Sequence, residues 1–330
     1  MSARTYVEEK IMSELVGYPR GWFVIEVEKG LGAGEVKPIR YFGRDLVLYR
    51  GESGEAHVLD AYCPHLGAHF GHGGTVVGET IRCPFHAWRF EPSGKCVEVP
   101  YAKKIPPKAC VGSYPVQEKN GLIFMWHDPE GGEPDWEIPV IEHYGASGWT
   151  EWDAALLHIK THPKEVIENL ADKAHFGPVH GTWVTTFENE YNGHIGIQRA
   201  EGKAYPRGGG EDPFKLTSTY YGPGYMLTEM QSYLPNILLL AHTPIDQHSL
   251  HLRFGAMLDL SNVKQGGERF SEGYKQNLLI GFKEDIQLWE NKVYRERPVL
   301  VDGDGNIGTL RRWYAQFYKP RSEAQVASGA

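Results

Sequence analysis

Residues 63 to 90 read CPHLGAHFGHGGTVVGETIRCPFHAWRF, and two cysteines and four histidines fall inside this one stretch. Cys63-Pro64-His65 is followed by 17 residues and then by Cys83-Pro84-Phe85-His86, a C-x-H-x17-C-x2-H pattern with one thiol and one imidazole in each arm. Matched arms of this kind suit a two-iron cluster bridged by sulfide. The thiolates of Cys63 and Cys83 would bind one iron, and the imidazoles of His65 and His86 the other. Two neutral imidazoles in place of two thiolates raise the reduction potential, which suits electron transfer in air. Pro64 and Pro84 would stiffen the two loops, and Gly67, Gly73 and Gly74 would let backbone approach the sulfurs. A structural zinc could use the same residue types, but zinc sites ordinarily pair like ligands as C-x2–4-C and H-x3–5-H. A Cys63–Cys83 disulfide would need an oxidising compartment. His69 and His72 fall outside both arms and read as loop histidines. Cys96 and Cys110 have no partner spacing and read as packed thiols.

Four cysteines in 330 residues are too few for a disulfide framework, so a reducing, cytoplasmic setting is expected. The net charge of -8 argues against a nucleic-acid scaffold. No run of 18 apolar residues occurs, so no membrane span is expected. The opening MSARTYVEEKIMSELVGYPRGWF lacks the basic and apolar regions of a signal peptide. Residues 7–16 have helical apolar spacing. From Gly21 to about Trp126, short runs such as WFVIEVE, DLVLYR, AHVLDAY and LIFMWH predict a small antiparallel β domain. HDPEGGEPDWEIP (127–139) reads as a linker or domain edge. Beyond it, residues 161–176 are predicted helical. HIGIQRA, KLTSTYY, YMLTEMQSYL, ILLLAHTPI and SLHLRFGAMLDL predict a larger antiparallel sheet. Residues 272–296 predict a long helix with Phe282, Ile286, Trp289 and Val293 as its apolar stripe. The tail PRSEAQVASGA is expected to fray. The expected class is α+β, with one domain at 18–130 and a second at 131–330 that also takes an N-terminal helix within 1–17.

A second set of metal ligands lies in ENLADKAHFGPVH (168–180). His175 and His180 are five apart, a spacing that does not share a helix face. Pro178 is expected to break the helix and let His180 swing towards a metal held by His175. Two histidines and a carboxylate make the facial triad of non-heme Fe(II) oxygenases, with positions left open for O2 and substrate. Asp285, three residues after Phe282 and four before Trp289, borders the stripe of the long helix and is the expected carboxylate. Spacing alone does not separate it from a solvated surface acid. Glu284 and Glu290 are expected to be solvated, and Glu168 and Asn169 to lie near the pocket. No G-x-G-x-x-G fingerprint between strand and helix is present, so electrons are expected from a separate reductase or ferredoxin, with NAD(P)H involved only through that partner.

The pattern C-P-H-x17-C-P-F-H-x-W, with Trp88 as its aromatic, resembles the cluster motif of Rieske oxygenases over about the first 130 residues. ENLADKAHFGPVH resembles the D-x2-H-x4-H iron motif of the same enzymes, with Asp172, His175 and His180 on its key positions. GKCVEVPYAKKIP, TYYGPGYM, EDIQLWENK and LRRWYAQFY resemble the oxygenase components of 3-ketosteroid 9α-hydroxylases and the related Rieske sterol desaturases and demethylases. The chain is somewhat shorter than those ketosteroid enzymes. The resemblance implies a [2Fe-2S] Rieske domain at 18–130 and a helix-grip catalytic domain at 131–330 with mononuclear non-heme Fe(II). It implies that Asp172 joins the iron site to His86 of a neighbouring subunit, in a homotrimer. It implies a monooxygenase that activates O2 only with substrate bound and hydroxylates a steroid-like molecule. Sterol desaturation or demethylation, oxidation of a monocyclic aromatic, and a non-catalytic electron carrier are the alternatives. ILLLAHTPI and TYYGPGYM could line a hydrophobic cavity or be ordinary core strands.

Overall fold

Short runs of β-branched and aromatic residues between glycines and prolines cannot build helices, and they pair as strands. A computed structural model describes residues 17–204, 211–231, 234–261, 263 and 267–323. The expected helix at 7–16 and the end of the polar tail lie outside these described residues. The chain divides into two compact units.

One unit comprises Trp22–Val140 with Thr243–Gln247. Its strands are β1 (Gly21–Val27), β2 (Val36–Tyr41), β3 (Arg44–Arg50), β4 (Ala56–Asp60), β5 (Thr75–Val77), β6 (Thr80–Arg82), β7 (Arg89–Phe90), β8 (Cys96–Glu98), β9 (Ser113–Tyr114), β10 (Val116–Lys119) and β11 (Leu122–His127). They form sheets ordered β1-β11-β10, β2-β3-β4-β9 and β5-β6-β7-β8. The last two are antiparallel throughout. Tyr49, Phe70, Phe90 and Trp88 pack with Cys63 and Cys83 in one core, so the two cysteine loops rest directly on buried hydrophobic side chains.

The unit ends at 140 rather than at the expected 130. The segment taken for a linker is stitched to the strands by side chains. Trp126 Nε1 donates to the Gly132 carbonyl, Trp22 Nε1 to that of Trp136 and Asn120 Nδ2 to that of Pro139. A proline- and glycine-rich segment reads as a linker because it makes no ladder bonds, but its carbonyls are still acceptors. Residues 243–247 join this unit for a similar reason: Thr243 Oγ1 donates to the Val24 carbonyl at 2.7 Å, and the Phe42 N–H to that of Pro244 at 2.9 Å.

The other unit carries a seven-stranded sheet ordered β12-β18-β17-β16-β15-β14-β13. These strands are β12 (Ala155–Ile159), β13 (Thr182–Asn192), β14 (Ile195–Ala204), β15 (Asp212–Tyr221), β16 (Tyr225–Gln231), β17 (Asn236–Pro244) and β18 (Leu250–Leu258). The five inner strands match the expected runs. The two edge strands, β12 and β13, are not among them. β13 alternates half-buried and exposed residues along TWVTTFENEYN, with few residues that announce a strand.

Among the described residues, the α-helices are α1 (Pro163–Ile167), α2 (Phe176–His180), α3 (Gly267–Asn291) and α4 (Ile307–Ala315). α3 lies on the sheet, with Phe282 stacked on Phe254 at a centroid distance of 4.3 Å. This is the helix-on-sheet arrangement expected of the larger domain. α3 ends at Asn291, so Val293 is not part of its stripe and is exposed. The helix expected at 161–176 is shorter. α1 passes into a 3-10 turn at Glu168–Leu170, and a new turn of helix starts at Phe176.

Candidate metal centres

The two cysteine loops are built alike. In the first, the Cys63 N–H bonds the Ala68 carbonyl at 2.9 Å and the Gly67 N–H bonds that of Cys63 at 3.0 Å. In the second, the Cys83 N–H bonds the Trp88 carbonyl at 2.8 Å and the Ala87 N–H bonds that of Cys83 at 3.1 Å. The fifth residue of each loop has a left-handed backbone, Gly67 at φ 77° and Ala87 at φ 58°. Proline follows each cysteine, where a fixed φ favours the turn. Gly74 gives the backbone its close approach, since a Cβ there would collide with the Phe70 carbonyl.

Both thiols are buried and free. Burial pushes the Cys63 thiol up to about 12, so it becomes a thiolate only where a cation offsets the charge. The His65 and His86 rings lie edge to face at 4.5 Å, and His65 stacks on Trp88 at 4.6 Å. Trp88 Nε1 in turn donates to the Tyr101 hydroxyl at 2.8 Å, a support that the sequence pattern did not single out. His65 Nδ1 is buried without a hydrogen-bond partner, as a nitrogen reserved for a metal would be. Among the described residues, the sets of three or more donors within 4.8 Å of one another are His175–His180–Asp285 and Glu55–His57–Glu79. The four loop residues are not such a set. In the second set, Glu79 is already engaged by the Ser53 N–H and His57. His69 Nδ1 accepts from the Gly71 N–H and its ring packs near His72, as loop histidines do. Cys96 is buried, but Cys110 is exposed and not the packed thiol expected.

The other centre forms around α2, a single helical turn with marked ends. Asp172 Oδ1 accepts from the N–H groups of Ala174 at 3.1 Å and His175 at 3.3 Å, fixing the turn just before α2, whose own N-cap, His175, makes no side-chain cap bond. Gly181 closes it with φ 61°. Pro178 is not the breaker expected. It sits in the first turn of α2, where its missing N–H leaves no bond unmade. The chain breaks earlier, between the 3-10 turn and His175, and this places the two imidazoles at opposite ends of one short turn with ring centroids 5.3 Å apart.

Asp285 reaches them from α3. It is 6% exposed, and its Oδ1 lies 3.3 Å from His180 Nε2. A carboxylate this buried requires a cationic partner or a metal. Phe282 and Trp289, one turn away on either side, bury the same face of α3. Trp289 Nε1 bonds Asn169 Oδ1 at 3.2 Å, and its carbonyl accepts from Thr161 Oγ1 at 3.2 Å. Burial opposes protonation of His180, but Asp285 and Glu284 together outweigh it and raise its pKa. Glu284 is therefore not the purely solvated acid expected, since its Oε2 lies 3.8 Å from His180 Nδ1. His175 Nδ1 is buried without a hydrogen-bond partner, 3.7 Å from Asp172 Oδ2. Burial pushes the Asp172 pKa up, but His175 and the two backbone N–H groups prevail and hold it below the usual carboxylate range. Its side chain remains partly exposed.

These three donors stand in the wall of a cavity of about 460 Å3. Val166, Leu170, Phe176, Leu216, Leu240 and Phe282 contribute to its apolar lining. Leu238 and Leu240 come from ILLLAHTPI, and Tyr220 and Met226 from TYYGPGYM. Asn169 lines the cavity as expected. Glu168 does not: it is bound by Lys292 at 3.3 Å and Arg311 at 2.7 Å. No described helix is long and apolar enough to cross a membrane.

Residues 21–115 match the Rieske [2Fe-2S] domain, and residues 125–318 match the 3-ketosteroid 9α-hydroxylase C-terminal domain. A probable 3-ketosteroid-9-alpha-monooxygenase, oxygenase component, of Rhodococcus rhodochrous is 37% identical over 322 residues, which are 91% of this chain and 80% of that protein. A cholesterol 7-desaturase of Ciona intestinalis is 31% identical over 344 residues, covering 92% of this chain and 70% of that one. In fold, the chain is similar to dicamba monooxygenase bound to dicamba, with a TM-score of 0.75 at 20% identity over 94% of this chain and all of that one. The two loops with their buried cysteines and paired histidines in one unit, the His–His–Asp group in the other, and these likenesses over nearly the whole chain lead to one conclusion: this protein belongs to the Rieske oxygenases of the 3-ketosteroid 9α-hydroxylase family.

Proposed function

We propose that this chain is the terminal oxygenase of a multicomponent monooxygenase that hydroxylates a steroid-like substrate, drawing electrons from a separate reductase or ferredoxin. The observation that carries this reading is the large apolar cavity with His175, His180 and Asp285 in its wall. Cys63, His65, Cys83 and His86 would hold the [2Fe-2S] cluster, and His175, His180 and Asp285 the mononuclear ferrous iron. When bound, these groups supply single electrons and O2 activation, respectively. The chain's own residues do the rest. Leu216, Leu240 and Phe282 exclude water and hold an apolar substrate beside the three donors. Phe282 and Trp289 keep Asp285 in place. Asp172 stays ionised, holds the backbone turn that precedes α2 and steadies the His175 ring. In the trimer that we infer, its exposed oxygen would accept a hydrogen bond from the partner subunit's His86 and so couple the two centres. The names of the relatives support the steroid class, and the four free thiols suit a reducing cytoplasm.

The test is turnover by the iron-loaded protein with a surrogate reductase, O2 and a panel of 3-ketosteroids, sterols and monocyclic aromatics. A steroid that gains one oxygen atom is the expected product. A steroid that loses two hydrogens instead would point to desaturation, and oxidation of only the aromatics would overturn the substrate class. A chain carrying about two irons, rather than about three, would overturn the oxygenase reading itself.

A further inference from the structure

The floor of the cavity carries a polar row that neither metal centre uses. Gln198 on β14, Ser218 on β15 and Thr228 on β16 face one another in register across the sheet. All three are buried, and all three line the cavity. Two residues away along the same strands, and so on the same face, the lining is Leu216 and Tyr220 on β15 and Met226 and Met230 on β16. A polar row thus crosses an otherwise apolar floor. Ser218 and Thr228 satisfy each other, with their hydroxyl oxygens 2.8 Å apart. Gln198 is different. Its side chain is buried at 4% exposure, and its Nε2 has no hydrogen-bond partner.

A buried amide N–H without an acceptor destabilises a fold, whereas a leucine or methionine at the same strand position would carry no such penalty. Among the described residues, two buried side-chain atoms without a partner belong to the cavity lining, His175 Nδ1 and Gln198 Nε2. The first lies at the metal centre. The second points to a ligand. We propose that Gln198 Nε2 donates a hydrogen bond to an oxygen of the substrate, a carbonyl above all, and thereby sets which carbon of an apolar skeleton faces His175, His180 and Asp285. This rests on reading the cavity as the substrate site, and it adds a requirement that shape alone does not impose: the substrate carries an acceptor that meets the middle of the sheet. A site built to bond a polar group discriminates strongly against an analogue that lacks it, because the donor is left unpaired.

The experiment measures binding to the iron-loaded protein through the fluorescence of Trp289, which lines the cavity. The ligands are matched pairs of a 3-ketosteroid, a bicyclic ketone and an aryl ketone, each with its carbonyl-free counterpart and its alcohol. Wild type is expected to bind a ketone about tenfold more tightly than the carbonyl-free compound. Gln198→Met, close in volume, should abolish that preference by weakening the ketone alone. Gln198→Glu, which offers an acceptor, should favour the alcohol over the ketone, and it tests the same bond should the methionine variant fail to fold. A preference that survives in Gln198→Met, equal binding of ketone and hydrocarbon by wild type, or binding of no ligand in the panel would each overturn the role of Gln198. If only the smaller ketones bind, and their preference is lost in the variant, the steroid assignment falls while the role of Gln198 stands.

Discussion

All four candidate donors of the cysteine–histidine centre come from residues 63–86, whereas the other candidate centre joins His175 and His180 on one short turn to Asp285 on a distant helix. The first is held by local turns, each with its own backbone bonds, resting on the aromatic core of a small β unit. The second exists only where α3 docks on the sheet and turns its buried face towards α2. Damage to packing should therefore separate them. The cysteine loops should survive changes that empty the iron site, and the reverse should hold as well.

The largest effect is expected from removing a donor. Asp285→Ala should lose one iron of about three per chain and all measurable turnover, with the visible spectrum of the cluster intact. Cys63→Ser should lose the cluster and its spectrum while the mononuclear iron stays bound. Metal analysis beside absorption spectroscopy reads both, and loss of both centres together in either variant would break the comparison. Next comes Asp172→Asn. Asparagine can accept the same two backbone N–H bonds, so both centres should stay loaded, while turnover should fall about 100-fold because the charge proposed to link them is gone. Ordinary turnover in this variant would remove Asp172 from the electron path.

A smaller effect sharpens the difference in stability. Glu168 ties the 3-10 turn before α2 to Lys292, just past α3, and to Arg311 on α4. Glu168→Ala leaves two cations without this partner and should cost about 1–3 kcal/mol. Under a chelator, the mononuclear iron should leave sooner than in wild type while the cluster spectrum holds. The smallest effect tests the likeness of the two loops. Gly67 and Ala87 hold the same left-handed position, and nothing lies within 4 Å of a Cβ placed at Gly67. Gly67→Ala should cost only the backbone strain, about 1 kcal/mol. Ala87→Gly should change stability by less than that, because relief of strain is offset by the freedom gained in the unfolded chain. Denaturant midpoints of the loaded protein measure both.

The sequence was most legible where the chemistry is local. Cys63, His65, Cys83 and His86 could be proposed as one set from spacing, because each arm is a turn of a few residues whose side chains cannot move far apart. The inner strands of the large sheet were legible for a like reason: burial imposes a pattern of β-branched and apolar residues. The edges β12 and β13 were not, since a half-exposed strand needs no such composition. Asp285 was narrowed to a face of its helix by Phe282 and Trp289, but spacing does not say which surface that face meets. The role given to Pro178 was misplaced because a proline breaks a helix only in its interior, and here it falls in the first turn of α2, whose start is set by packing.

The sequence by itself singled out the candidate donors and set the two textures of chain that carry them. The tertiary structure alone decided that Asp285 is buried against His180, that Glu168 is spent on Lys292 and Arg311, and that Gln198 sits beneath a cavity with a free N–H. The physical reason is the range of the forces involved. Turns, caps and strand patterns follow from neighbours a few residues away, while burial of a charge or an amide depends on which distant surface closes over it.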